Sequence, residues 1–160
     1  MAGDGFITCL WFDGKAEEAA GFYVSVFKNS RLGRTVTCTE NGPGPTGSVL
    51  TVEFTANGQE FVALNGGPQF TFNEAVSFQV MCDDQEDVDH YWNRLTEGGG
   101  EHGPCGWLKD RFGVSWQVVP RRLLDMAADQ DRERADRVVQ VMLSMSKLDI
   151  APLERAYAGE

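Results

Sequence analysis

The chain has 160 residues, of which 42% are hydrophobic, enough to build one compact core. Its formal net charge of -10 and the lack of any basic cluster argue against nucleic acid or an anionic membrane as a partner. No apolar run approaches the roughly 20 residues that span a bilayer, and the N-terminus is acidic and glycine-rich where a signal peptide would be basic and then apolar. We therefore expect a cytoplasmic protein whose partners are small molecules or other proteins, and whose four cysteines, which include no C-x-x-C pair, are reduced.

The first half of the sequence predicts one helix and four strands. A short apolar run at 6–12 precedes Gly14, and apolar residues then recur at three- and four-residue spacing as far as Phe27, which is typical of a strand followed by an amphipathic helix. Glycine, proline and asparagine separate the next three strand candidates, which are Arg34 to Thr39, Ser48 to Thr55 and Gln59 to Leu64. The predicted order is β-α-β-β-β.

The second half repeats this order. A strand at 76–82 leads to Asp83 and Asp84, which can cap a helix that runs to about Leu95 and ends at a triple glycine. The segment 105–120 then predicts two short strands joined by a tight turn at 110–113, with room for one more short strand before them. The chain therefore predicts a degenerate duplication of one supersecondary unit.

Alternation along the strands predicts a polar face away from the helices. In the second half, apolar residues on one face leave Ser77, Gln79 and Met81 on the other, and Gln117 is expected to face the same way. If the sheet curves around these faces it encloses a cavity, with the predicted ligand-binding residues Thr8, Phe12, Asn65, Ser77, Gln79 and Gln117. The alternative is an open, hydrated sheet face whose polar residues only bond one another. Trp107 and Trp116 are predicted to pair across the strands on the helix-covered side.

Several segments resemble a known family over nearly the whole chain. They are Trp11-Phe-Asp-Gly-Lys-Ala-Glu-Glu-Ala, Phe22-Tyr23 with Phe27, Leu64-Asn-Gly-Gly-Pro, Phe72-Asn-Glu-Ala-Val-Ser-Phe and Cys105-Gly-Trp-Leu-Lys-Asp-Arg-Phe-Gly-Val-Ser-Trp-Gln. These segments resemble the PhnB-like branch of the vicinal oxygen chelate superfamily, often labelled 3-demethylubiquinone 3-methyltransferase-like. The resemblance implies an α+β fold in which two β-α-β-β-β modules form a curved mixed sheet around a small-molecule cavity, usually in a homodimer. We expect a single domain at 1–120, with modules at 1–67 and 74–120, and a C-terminal helical extension at 121–160.

The resemblance also implies where a metal would bind. Members that use a metal place its ligands at positions that correspond here to Thr8, Ala63, Ser77 and Gln117, and only the amide oxygen of Gln117 is a usable donor. Divalent iron, nickel or zinc requires several imidazole, carboxylate or thiolate donors at one point. His90 and His102 fall outside the strands predicted to face the cavity. We therefore expect no cofactor, with a divalent metal as the alternative.

The catalytic residues stay open, with Cys105 and Gln117 as candidates. Cys105 follows His102 by three residues, so a thiolate with a histidine partner is conceivable, although a packed loop cysteine is the alternative. The glycine-rich turn of a doubly wound methyltransferase is missing, so we interpret the methyltransferase label as an inherited family name. The leading hypothesis is a metal-free ligand-binding protein with catalysis undecided. The alternatives are a metal-dependent lyase, isomerase or dioxygenase, and a non-catalytic interaction module.

The sequence after Pro120 predicts helices. Residues 121–128 have a helical pattern, the next segment is densely charged, and an apolar stripe follows at helical spacing; the stripe is formed by Val138, Val139, Met142, Leu143 and Met145. Asp149 can cap a last helix over 148–157. The stripe is expected to pack against the parent domain, and covering a dimer partner is the alternative.

Overall fold

The computed structural model describes residues 5–160, which divide into two compact units, one reaching to Thr71 and one starting at Phe72. Each unit contains a four-stranded mixed sheet, and the fold is α+β as expected. No helix within the described residues is long and apolar enough to span a membrane.

The first unit has the predicted order β-α-β-β-β. Its elements are β1 (Thr8–Phe12), α1 (Ala16–Val26), β2 (Arg31–Thr37), β3 (Val49–Ala56) and β4 (Gln59–Asn65). The sheet order is β1-β4-β3-β2, with β1 parallel to β4 and the other pairs antiparallel. Asn57 and Gly58 both have positive φ, 50° and 78°, and so form the tight turn that joins β3 to β4. Helix α1 packs on one face, where Tyr23 stacks on Phe54 with ring centroids 5.9 Å apart.

The second unit repeats this topology. Its sheet consists of β5 (Ser77–Cys82), β6 (Glu101–His102), β7 (Trp107–Lys109) and β8 (Ser115–Pro120) in the order β5-β8-β7-β6, and β5 is parallel to β8. Helix α2 (Gln85–Leu95) begins where Asp84 accepts a hydrogen bond from the backbone N–H of Asp87. Since both units have the first strand parallel to the last, the predicted duplication is confirmed at the level of topology.

The turn between β7 and β8 is the predicted one. Gly113 has a φ of 88°, and Oδ1 of Asp110 accepts hydrogen bonds from the backbone N–H groups of Phe112 and Val114, at 2.9 and 3.0 Å. The other carboxylate oxygen accepts a bond of 2.9 Å from the indole N–H of Trp116. Asp110 is only 3% exposed, so these bonds compensate for the burial of its charge.

The C-terminal helices belong to the second unit. They are α3 (Arg121–Ala127), α4 (Arg132–Leu143) and α5 (Ile150–Ala158), and Asp149 caps the last of them. They share one core with the end of the sheet, formed by Val119, Leu123, Met126, Val138, Leu148 and Leu153, with Met81, Val141, Met142, Met145 and Tyr157 packed against it. The apolar stripe therefore packs largely against its own unit, although Leu143 is 63% exposed.

Candidate functional site

The second sheet has one face covered by α2 and one face that carries polar side chains. Phe78, Leu108 and Trp116 are neighbours on the covered face. On the other face the strand pairing sets Gln117 between Gln79 and Trp107, and sets Ser115 between Ser77 and Lys109. Paired residues on neighbouring strands share a face. We call these residues the polar face: Ser77, Gln79, Trp107, Lys109, Ser115 and Gln117.

Three predicted site residues form a hydrogen-bonded network on the polar face. The side-chain amide of Gln117 donates to the Ser77 hydroxyl at 2.8 Å, and the amide of Gln79 donates to the Gln117 oxygen at 3.3 Å. The Ser77 proton and the Gln79 oxygen have no partner within residues 5–160. The network thus fixes the Gln117 amide and leaves donors on Ser77 and on both amides, and an acceptor on Gln79, for another molecule.

Ser115 is the buried member of the polar face. It is 1% exposed, and its hydroxyl has no hydrogen-bond partner in the described part of the chain. Native proteins seldom bury a hydroxyl in this way, because the group loses its bonds to water and gains none in return. The sequence gives no sign of this feature, since it depends on what surrounds the side chain in the fold.

An ion pair lies beside Ser115. Lys109 is directly opposite Ser115 in the sheet, and its ammonium group contacts the carboxylate of Glu74. The hydrogen bond from Lys109 lowers the pKa of Glu74, and the same bond raises the pKa of Lys109, to which the negative charge of Glu101 adds a smaller effect. Both partners are well exposed, so the pair is easily screened by salt.

A groove of about 440 Å³ runs along the β6 and β7 side of the polar face. This volume lies within the range of clefts that bind small molecules. Its lining combines aromatic, apolar and charged residues; these are Glu74, Glu101, His102, Gly103, Pro104, Trp107, Leu108, Lys109 and Ser115.

Trp107 corrects one sequence prediction. It does not pair with Trp116, because Trp107 is opposite Gln117 and Leu108 is opposite Trp116. Trp116 is 5% exposed and packs against Phe78 with ring centroids 5.3 Å apart. A register difference of one residue places a side chain on the opposite face of a sheet, and Trp107 is therefore on the polar face. Counting outward from the 110–113 turn could have identified it.

The predicted site residues of the first unit have other neighbours. Phe12 is 3% exposed in the core beside α1, so the prediction that it faces away from the helix is wrong, and Thr8 shares its face of β1. The side chain of Asn65 accepts a bond of 2.9 Å from the N–H of Ala16 and donates one of 3.0 Å to the carbonyl of Val49. Asn65 therefore stabilises the start of α1. It also lines a separate groove of about 630 Å³ within the first unit.

The donor set does not fit the metal that the resemblance implies. Within residues 5–160, no three His, Cys, Asp or Glu side chains are grouped so that they could hold a metal ion. Ala63 is fully buried and has no donor, and the polar face offers only amide and hydroxyl groups at Ser77 and Gln117. Such groups are poor ligands for iron, nickel or zinc without imidazole, carboxylate or thiolate beside them.

The histidines contact α2. The His102 ring stacks on Trp92 with centroids 4.5 Å apart, and its Nε2 lies 3.2 Å from the hydroxyl of Thr96. His90 is within α2 itself and contacts Tyr91. Within residues 5–160 the His102 ring contacts Trp92 and Thr96, and no hydrogen bond joins it to the Cys105 thiol. The geometry therefore gives no support to a cysteine and histidine pair.

Comparison with known proteins connects this fold to one family. A sequence model of the family described as 3-demethylubiquinone-9 3-methyltransferase matches residues 4–119. No curated protein matches the chain. Among solved structures, the PhnB protein of Bacillus cereus is 37% identical and matches 73% of this chain and 99% of its own, with a TM-score of 0.64.

More distant structures share the fold alone. A protein of Pseudomonas aeruginosa is 20% identical over 74% of this chain and 98% of its own, with a TM-score of 0.59. A genomically encoded fosfomycin resistance protein of Listeria monocytogenes is 14% identical over 75% and 94%, with a TM-score of 0.52. The family match ends at residue 119, so helices α3, α4 and α5 lie beyond it.

Proposed function

The chain belongs to the family described as 3-demethylubiquinone-9 3-methyltransferase, within the vicinal oxygen chelate superfamily, and from this premise we propose that it binds a small, partly polar organic molecule on the polar face of its second unit. The observation that carries the proposal is the network of Gln79, Gln117 and Ser77, next to a groove of about 440 Å³. A fixed amide beside an apolar wall is the usual composition of a small-molecule site.

The network supports binding over a merely hydrated surface. Exposed glutamines normally bond water, and ordering two of them in one arrangement costs side-chain entropy. Here Gln117 is half-buried and bonds on both sides, so its amide is oriented before any ligand arrives. A preorganised donor and acceptor lose less entropy when a ligand binds.

We propose that binding needs no metal. The groups on the polar face bind organic oxygen and nitrogen atoms through hydrogen bonds, and they are weak ligands for a divalent ion. A catalytic role is left open, since the described residues around the groove include no nucleophile held against a base. The polar face is compatible with binding alone, and also with an enzyme in which the substrate supplies the reactive group.

We assign no methyl transfer. Methyltransferases of the doubly wound type bind their cofactor beside a glycine-rich turn between a strand and a helix. The glycines at 66–67 follow β4, but the chain continues to β5 without a helix, and the described sheets are mixed. Residues 5–160 therefore contain no glycine-rich turn of the kind that binds the cofactor in those methyltransferases.

Native mass spectrometry tests the proposal. Untagged protein purified without chelator or added metal should retain an organic molecule, and Gln117→Ala should lose it. Gln140→Ala is the matched control, because Gln140 lies on α4 and bonds Asp136 outside the polar face. The same spectrum reports the number of subunits, for which we propose a homodimer.

Two other outcomes would contradict the proposal. A stoichiometric divalent metal that is lost in Gln117→Ala would favour the metal-dependent lyase, isomerase or dioxygenase. If no organic molecule is retained and a panel of small molecules leaves the melting temperature unchanged, an interaction module is the better description.

A further inference from the structure

We infer that the ligand is a neutral, planar molecule with one hydrogen-bonding oxygen, held with its ring against Trp107 and its oxygen at the Ser115 hydroxyl. This inference rests on the proposed function and adds the groove to the site of Gln117. The two parts are continuous, because Trp107 is paired with Gln117 and Ser115 lies two residues before Gln117 on the same face of β8.

The Ser115 hydroxyl indicates the hydrogen bond. It is a buried polar atom without a partner in the described residues, and Ser115 is one of the residues that line the groove. An unpaired buried hydroxyl destabilises a folded chain, so its presence in a binding groove has a ready explanation if a ligand atom supplies the missing bond. A hydroxyl both donates and accepts, so a carbonyl or hydroxyl oxygen on the ligand would satisfy it.

Trp107 indicates the planar body. Trp107 is half-buried and lines the groove together with Pro104. Aromatic faces prefer offset stacking or edge contacts with other flat groups, and they contribute more than their area alone would give.

The charges favour a neutral molecule over an anion. Glu74 and Glu101 supply two negative charges against one positive charge on Lys109, and Lys109 already contacts Glu74. An anion would have to displace Glu74 from Lys109 or lie beside two carboxylates, in a chain whose net charge is -10.

The cost of desolvation disfavours a cation beside Ser115. Glu101 is exposed to water, so its attraction for an ammonium group is weak. A cation beside Ser115 would lose its hydration and gain only a hydroxyl as a partner. Neutral polar compounds are left as the class that fits.

Three single-ring probes of similar size test the class: benzamide, benzoate and benzylamine. Their dissociation constants are measured with the full chain by titration followed by two-dimensional NMR. Benzamide should bind with a dissociation constant of about 1 mM, as expected for a ligand of this size, and at least about fivefold more tightly than either charged probe.

Ser115→Ala should weaken the binding of benzamide by about 3- to 10-fold, the loss of one hydrogen bond. Trp107→Leu should weaken it by about 10-fold or more, whereas Trp107→Phe keeps a ring and most of the affinity.

Controls separate binding from folding. Ser25→Ala, in the first unit, removes a hydroxyl that bonds the Phe22 carbonyl and should leave every probe unchanged. Each variant is first checked for an unaltered NMR spectrum away from the groove.

Each outcome decides between the inference and its premise. Tighter binding of benzoate or benzylamine, unchanged benzamide affinity in both groove variants, or no binding of any probe would overturn the inference. If Gln117→Ala loses the molecule retained in the native mass spectrum while Ser115→Ala and Trp107→Leu keep it, the proposed function stands and the inference fails. If Gln117→Ala changes nothing in either experiment, the proposed function itself fails.

Discussion

Replacing Ser115 by alanine should stabilise the chain. An unsatisfied buried hydroxyl costs about 1–3 kcal/mol, and alanine removes it while keeping nearly the same volume. Because Ser115 lies at the wall of a groove and not at the centre of a core, we take the lower end, a gain of about 1 kcal/mol. In a chain of this size that corresponds to a melting temperature about 2–4 °C higher.

Ser77→Ala is the matched control for this prediction. Ser77 is paired with Ser115 in the sheet and shares its face, but its hydroxyl accepts a bond of 2.8 Å from Gln117. Its removal should cost about 0.5–1.5 kcal/mol, the net value of one hydrogen bond. The same substitution at two adjacent positions is therefore expected to have opposite signs.

Urea denaturation followed by tryptophan fluorescence measures both variants. The free energies of unfolding are comparable only if the slope with urea concentration is unchanged. If Ser115→Ala loses as much stability as Ser77→Ala, the Ser115 hydroxyl is hydrogen-bonded in solution, and the expected contact with a ligand loses its basis.

Further predictions concern the buried groups of the second unit. Burial, with smaller effects from nearby aspartates, raises the pKa of Cys82 to about 12. The protonated thiol therefore contributes to stability fully below about pH 9, and this contribution is lost as the pH rises towards 12. Urea titrations of Cys82→Ala should show a smaller loss of stability over this alkaline range. Asp110→Asn should lower the free energy of unfolding by about 2–3 kcal/mol, because an amide cannot accept all three bonds and its NH₂ would face the Trp116 N–H. A smaller loss of stability in a Trp116→Phe background would confirm the contact, and additive losses would contradict it. Leu153→Ala should cost about 2–5 kcal/mol, whereas Leu143→Ala, at a residue that is 63% exposed, should cost less than about 0.5 kcal/mol; equal losses would show that the helices do not pack as described.

Local signals explain why the elements could be predicted. The 110–113 turn contains an aspartate that bonds its own backbone and a glycine with positive φ, and both requirements are visible in the sequence. Asp84 and Asp149 are helix caps for the same reason, since the side chain that accepts the bond lies next to the helix it starts. The β-α-β-β-β order therefore follows from neighbouring residues.

The faces of the strands were harder to predict. Strand β1 is nearly all apolar, so alternation gives no preferred face, and the burial of Phe12 appears only in the folded chain. Polar alternation in β5 and β8 was informative, and it identified Ser77, Gln79 and Gln117 as neighbours. Asn65 is predicted to line the same cavity, but its side-chain oxygen accepts a hydrogen bond from the first residue of α1, a contact across 49 positions that no local pattern reveals.

The C-terminal helices determine where the polar face ends. Along β5 the face runs from Ser77 to Gln79 and then to the apolar Met81, and along β8 it runs from Ser115 to Gln117 and then to the apolar Val119. Val119 lies in the core that α3, α4 and α5 build and Met81 packs against it, so apolar residues replace polar ones where the helices cover the sheet.

The same helices hold the loop beside the groove. The backbone N–H groups of Cys105 and Gly106 bond the carbonyls of Met145 and Ser146, and the Ser146 hydroxyl bonds the carbonyl of Gly103, which lines the groove. Since the family match ends at residue 119, these contacts come from a part of the chain that the family model does not cover. The length of the polar face and one wall of the groove thus depend on helices that the family model does not cover.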